Sequence, residues 1–399
     1  MTTRLTASQT PIRTLAASPL VAVPFAFDAI PRAAWDRSLA ATPAATPFSR
    51  WTYHRAWWDA YSATAHPQYL CCFEPGDAGR HDAVAIRAIV PLMHRHEVEA
   101  EDAQTATTFR HSDVRSSPGG AAVPDDAKAI FMAASYHTDY ATLLCDPTDL
   151  PAVADAVVTY LAGPPDADHG DRDWDVIDLR RLRGSDPALP ALEAAFQRLA
   201  ADHGWDVTVE VEDVCPVVTL ADGDWEAYLS SLDKKARHEI RRKIRRAEDV
   251  GEIRFEMLEP DAAAVDAFIA LHQARWGAEG LFPDTPGGAL SRRFIHRLAE
   301  LEAAEGSGRS LELGQVRVGE RIIFATVGFA SGATCYFYNA GMDPDARDLS
   351  PGVTGTAAYL RDRIAAGVRR FDFLRGNEGY KYEWGAVDEP IHRLLVTRR

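Results

Sequence analysis

Gly319-Glu-Arg-Ile-Ile-Phe-Ala-Thr-Val-Gly-Phe329, the turn Ser331-Gly332, and Thr334-Cys-Tyr-Phe-Tyr-Asn-Ala-Gly341 form two apolar runs, rich in β-branched and aromatic residues, joined by a short glycine-bearing turn. That pattern predicts a β-hairpin. The second strand ends at Met342-Asp343-Pro344, a loop follows, and a helical pattern runs from Ser350-Pro351-Gly352 to Ala366-Gly367. Arg370-Phe-Asp-Phe-Leu-Arg375 then reads as a further strand.

The first half of the chain repeats this order. An apolar strand from Ala85 to Met93 precedes Asp139-Tyr-Ala-Thr-Leu-Leu-Cys145, which ends in Asp146-Pro147. A helix near Leu150 to Ala162 and the strand Trp174-Asp-Val-Ile-Asp-Leu-Arg180 complete it. Aligning Asp146-Pro147 with Asp343-Pro344 and Asp178 with Asp372 leaves a surplus that falls in the Pro/Asp/Gly-rich stretch from Gly163 to Asp173. Two related lobes are therefore expected. Leu189 to His203 is an amphipathic helix closing the first, and Val207 to Leu220 a strand leading into the second. The expected units are a flexible leader over 1–24, a first lobe over 25–204 and a second over 205–399. The fold class is α/β (α+β), with mixed sheets and one splayed β-helix-β unit in each lobe. No G-x-G-x-x-G or G-x-x-x-x-G-K-[ST] stretch is present, which argues against the common nucleotide-binding folds.

Composition narrows the function classes. Hydrophobic residues make up 46% of the 399 and charged residues 25%, as in folded domains. The net charge of -15 gives no global pull toward nucleic acid or an anionic membrane, so any polyanion site must be a local patch. Five cysteines without C-x-x-C spacing argue against a disulfide framework and a zinc site, and point to a cytoplasmic protein. No apolar run is long enough for a membrane span. His94-Arg95-His96 lacks a third ligand in register, so no metal is expected.

Three segments could carry chemistry. In Ser350-Pro-Gly-Val-Thr-Gly355 the cap Ser350, the helix-starting proline, and Gly352, Thr354 and Gly355 leave backbone N–H groups that an anion such as a pyrophosphate could meet. A capped helix with packing glycines explains the same residues. From Leu229 to Ala247 an apolar stripe predicts a helix whose other faces carry Arg237, Arg241 and Arg245 at four-residue steps. Such like charges repel, so acidic neighbours or an anionic ligand must offset them. Phe371 to Gly385 gathers Asp372, Arg375, Glu378, Tyr380, Lys381 and Tyr382 within one short stretch.

Lys235-Ala-Arg237 through Arg246, Leu271-His272-Gln-Ala-Arg275-Trp276, Gly341-Met-Asp343-Pro344, Ser350-Pro351-Gly352 and Asp372-Phe-Leu-Arg375-Gly376-Asn-Glu378-Gly-Tyr380-Lys381 together resemble the GNAT superfamily of acyltransferases. The resemblance is to its two-lobed BioF2-like or CelD-type branch. Thr46-Pro-Phe48, Trp57-Trp58 and Asp139-Tyr140 resemble that branch's first lobe. The resemblance implies an acyltransferase using acetyl-CoA or another acyl-CoA, and an amine or hydroxyl acceptor of small or envelope-related type. It implies donor binding at Ser350, Gly352, Thr354, Gly355, Arg375, Tyr338 and Asn339, and acceptor binding at Arg237, Arg241, Arg275 and Trp276. Glu378 or Asp372 would act as base, backbone N–H near Tyr338 and Asn339 or the Lys381 ammonium as oxyanion holder, and Tyr380 or Tyr382 as acid. The chain departs from the usual R/Q-x-x-G-x-G/A donor loop in lacking the leading Arg or Gln. The stretch around Tyr380-Lys381 also resembles Fem-type aminoacyl ligases, which take their donor from aminoacyl-tRNA, so such a ligase is one alternative. A noncatalytic binding or scaffold protein is another.

Overall fold

The structure, a computed structural model, describes residues 20–63, 65–78, 82–95, 128–135, 137–164, 174–220 and 224–398. Most of the expected leader, His96 and most of the loop Gly163 to Asp173 lie outside these residues; the end of the expected leader, from Val21, belongs to the strand Val21–Phe25.

The strands are β1 (Val21–Phe25), β2 (His66–Phe73), β3 (Ala88–Arg95), β4 (Ala129–Met132), β5 (Leu144–Cys145), β6 (Val176–Arg183), β7 (Trp205–Thr219), β8 (Ile253–Leu258), β9 (Leu311–Val318), β10 (Arg321–Ser331), β11 (Thr334–Met342), β12 (Arg370–Asp372) and β13 (Val387–Arg398). The helices are α1 (Arg32–Ala40), α2 (Trp51–Tyr61), α3 (Leu150–Leu161), α4 (Ala188–His203), α5 (Trp225–Ser231), α6 (Lys234–Glu248), α7 (Ala262–Trp276), α8 (Pro286–Ala304), α9 (Pro351–Ala365) and the single turn α10 (Gly379–Tyr382).

All strands join one sheet in the order β1-β2-β3-β4-β6-β13-β7-β12-β11-β10-β9-β8, with β5 beside β3. Alternation along the strands sorts side chains to its two faces. Tyr69, Cys71 and Phe73 of β2 enter one core, Leu70 and Cys72 another. The first core runs through both lobes beneath α2, α7 and α8, and the opposite face carries a separate core for each lobe.

The repeat read from sequence is present in the sheet. β4 runs parallel to β6 with Phe131 opposite Asp178, and β11 runs parallel to β12 with Tyr336 opposite Asp372. Both aspartates are third in their strands, opposite the third residue of the neighbour.

Two features depart from the expected plan. First, the partner of β6 is β4, not a strand over Asp139–Cys145. β11 bulges at Tyr338, where the register passes from Val327 opposite Asn339 to Gly328 opposite Phe337. At the matching place in the first lobe, β4 and β5 are separated by the excursion 133–143, which meets the sheet again through a single parallel bridge from Ala141 to Leu182 of β6. Second, the closing strands are exchanged. β7 follows the first lobe's β6 but pairs with β12, and β13 follows β12 but pairs with β6. β7 and β13 pair with each other from Val387 opposite Val217 to Arg398 opposite Trp205. The boundary expected near residue 205 falls at the start of β7, yet β13 returns to the first lobe.

Candidate functional site

β11 and β12 pair only from Thr334–Arg370 to Tyr336–Asp372. Beyond that β11 follows β10, while β12 ends because Leu374 turns left-handed at φ 57°. A non-glycine residue there costs energy and needs support. Between the diverging strands opens a cavity of about 600 Å³. One wall is β11 with Tyr338 and Asn339, the other the turn Leu374-Arg375-Gly376. The first turns of α9 and the end of α7 close one end, and α10 with its flanking residues lies along the side.

Of the residues singled out from sequence, Lys381, Glu378, Tyr380, Gly352, Arg375, Tyr338, Asn339, Arg275 and Trp276 all line this cavity. Burial, and then Glu378, push the Tyr380 phenol up to about 12, so it keeps its proton at neutral pH. Glu378 has a side chain 59% exposed and meets the Lys381 ammonium at 2.9 Å. Lys381 itself is buried, and its Nζ donates to the carbonyls of Leu374, Arg375 and Gly376 at 3.0, 2.8 and 2.9 Å. An ammonium has three N–H groups, and all three are committed.

At the α9 end, Gly352 lies against the Met342 thioether. Arg275 directs Nη1 at that sulfur from 2.8 Å and lies 4.5 Å from the Trp276 ring. Burial lowers the Arg275 pKa. Arg246 of α6 donates to the Ser350 hydroxyl at 2.5 Å.

Other expected residues lie elsewhere. Asp372 is fully buried and does not line the cavity. Its Oδ1 accepts the Leu374 N–H at 2.9 Å and its Oδ2 the Tyr140 hydroxyl at 2.8 Å. Burial raises its pKa to about 6, but both carboxylate oxygens are engaged inside the core rather than turned to the cavity, which is at odds with its expected part as base. Thr354 is buried and donates to Leu349 O at 2.7 Å. A Cβ on Gly355 would lie 2.3 Å from Phe324 Cγ, so this glycine serves close packing of α9 on β10 rather than anion approach. Tyr382 points outward and donates to Asp388. Arg237 and Arg241 are also outside the cavity: Arg237 donates to Ser230 O at 2.9 Å and Arg241 to Glu226 at 2.5 Å. Glu239 holds Arg242 and Lys243. Acidic neighbours thus offset part of the repulsion along α6.

The first lobe contributes two residues that the sequence did not place in the site. The excursion 133–143 brings His137 and Asp139 into the cavity wall. Asp139 accepts from Arg375 Nε at 3.1 Å. Burial opposes the charge on Arg375, but Asp139, with Asp213 beyond it, more than offsets this and its pKa is raised. His137 stacks on Phe294 at 4.6 Å between ring centroids and meets the Tyr61 hydroxyl at 2.7 Å. Burial lowers its pKa to about 3, so the imidazole is neutral. A polar His137-Thr-Asp139-Tyr140 run in front of an apolar strand was the available signal, but what it reaches depends on the fold of the other lobe. In the first lobe a cavity of about 50 Å³ lies beside the start of α3. Arg87 grips Asp149, the residue just before α3, through bonds of 3.0 and 2.8 Å.

Comparison with known proteins bears out the resemblance to GNAT acyltransferases in the second half of the chain. Residues 234–382 match the family model described as an acetyltransferase (GNAT) domain. Among curated proteins none matches the sequence. A solved structure of FemX aligns at 10% identity over 92% of this chain and 96% of that one, with a TM-score of 0.55. A conserved protein of unknown function from Bacteroides thetaiotaomicron aligns at 13% identity over 93% and 98%, with a TM-score of 0.50. These likenesses are of fold, and they span both lobes.

Proposed function

We propose that this chain, with its GNAT domain over residues 234–382, is an acyltransferase that moves an acyl group from acetyl-CoA or another acyl-CoA to an amine or hydroxyl. The observation that carries the reading is the cavity at the strand divergence, entered by the first turns of a helix whose terminus carries partial positive charge. Arg275 fits an anionic donor there, because its nearby partner is a thioether rather than a carboxylate. Gly352 and Arg275 would hold the pyrophosphate, and the pantetheine arm would run between β11 and the turn Leu374 to Gly376.

Backbone N–H groups at the Tyr338 bulge would take the carbonyl oxygen as negative charge develops on it. Glu378 would accept the acceptor's proton as the new C–N or C–O bond forms. The C–S bond breaks, and Tyr380 would protonate the departing thiolate and be reprotonated from Glu378. His137 and Asp139 would face the acceptor, which we place among small or envelope-related amines and alcohols.

Thermal-shift measurements with acyl-CoA, free CoA and bulk aminoacyl-tRNA test this. Acyl-CoA at 100 times its Kd should stabilise the protein by about 2.7 kcal/mol. Arg275→Gln should weaken that binding by roughly 10-fold or more, the order for one charge-assisted contact. The second reading, a Fem-like ligase using aminoacyl-tRNA, has in its favour the exposed Arg242 and Arg245 on α6, whose neighbour Arg246 reaches the start of α9. Stabilisation by aminoacyl-tRNA but not by acyl-CoA would select it. Ligand binding without transfer to any amine or alcohol would leave a binding protein.

A further inference from the structure

We infer that Lys381 is a positioning residue, the internal cation of a carbonyl cage, and that removing its side chain leaves a site for a monovalent cation. Left-handed Leu374 (φ 57°) and Gly376 (φ 105°) flank Arg375 and turn three consecutive carbonyl oxygens to the same side. Three converging carbonyl dipoles repel one another and are costly to bury unless a cation or donor meets them. Lys381 Nζ sits at their focus, with Glu378 Oε2 as a fourth oxygen at 2.9 Å. A compact ammonium suits such a cage, and a planar guanidinium does not.

The same turn is pinned from its amide side. Asp372 holds the Leu374 N–H, and Val214 O of β7 holds the Gly376 N–H at 2.9 Å. Lys381 therefore acts on the cavity through the wall that carries Arg375. Its three hydrogens point at that wall, which leaves none for a reacting oxygen.

The cage left by Lys381→Ala offers three carbonyls and a carboxylate, an oxygen set that suits potassium or ammonium. The test uses the full chain and reads stability, so it stands apart from the identity of the donor. Lys381→Ala should lower Tm by several degrees in choline chloride, and potassium or ammonium chloride at equal ionic strength should restore at least half of the loss. Wild type should show no difference among these salts. Lys381→Met, whose side chain still fills the cage, should stay low in all of them. In Lys381→Met the amides of Leu374 and Gly376 should exchange with solvent at least 10-fold faster than in wild type. That measurement decides the matter if the alanine chain does not fold. Wild-type Tm and amide exchange in Lys381→Met, or a loss in Lys381→Ala equal in choline, potassium and ammonium, would overturn the inference. A purely catalytic lysine would instead give normal Tm and exchange with turnover reduced about 10²-fold.

Discussion

Asp178 and Asp372 occupy equivalent strand positions, and both are fully buried. Their partners differ. Leu395 lies opposite Asp178 and Val217 opposite Asp372, and two residues before them stand Arg393 and Cys215 respectively. Arg393 grips Asp178 through bonds of 2.8 and 2.7 Å. Asp372 has a looser cation, Arg370 Nη2 at 3.5 Å from Oδ2, and takes its hydrogen bonds from the Leu374 amide and from Tyr140 of the other lobe. Burial therefore raises its pKa from 3.8 to about 6. Between pH 4 and 6 the folded state keeps a proton that the unfolded chain has released, so this group's contribution to stability falls as pH rises through that window. The change is roughly 3 kcal/mol. Asp372→Asn should remove it, and urea titrations of both proteins at pH 4 and 7 check this. A stability difference between them that does not change with pH would refute the assignment. Part of this residue scale is visible in the sequence, since Arg375, Glu378, Tyr380 and Lys381 are close neighbours in the chain. His137 and Asp139 are not, because the tertiary fold brings up what they touch: Tyr61 of α2, and Phe294 and Arg375 from the other lobe.

Helix α9 shows how far an element can be read. Its start at Pro351 follows from local backbone chemistry, but the roles of its two glycines depend on what lies beneath. A methyl group on Gly355 would strike Phe324, whereas on Gly352 it would meet only the flexible end of Met342, at 3.2 Å. Gly355→Ala should thus cost on the order of 1–3 kcal/mol, despite the better helix propensity of alanine. Gly352→Ala should leave stability within about 0.5 kcal/mol, or raise it slightly. Denaturant midpoints of the two variants separate these outcomes, and equal losses would show that Gly355 is not a packing glycine. Strand β12 is shorter than its apolar pattern suggests because Leu374 leaves the extended region. The excursion 133–143 resembles a strand in sequence because it runs through Tyr140 and Thr142 into apolar Leu143 and Leu144.

At the scale of the molecule, the hairpin-helix-strand order of each lobe is local information and was legible. The exchange of β7 and β13 was not, because a closing strand buries the same alternating pattern against either lobe. The exchange makes the lobes interdependent. Residues 20–204 expressed alone would expose the edge of β6, and residues 205–399 the outer edge of β13. Neither should fold as a monomer, while the two co-expressed should co-purify one to one. Size-exclusion chromatography checks this, and two monodisperse, cooperatively unfolding halves would refute it. The exchange also sets an order of events at the ribosome. The first lobe's β6 emerges long before β13, and nearly all of the second lobe must be translated before the strand that covers β6 exists. Until then the nascent chain carries an open hydrogen-bonding edge at what becomes the centre of the sheet. Completion of the fold must wait for the last strand, and a premature stop within it would leave the lobe made first without its cover.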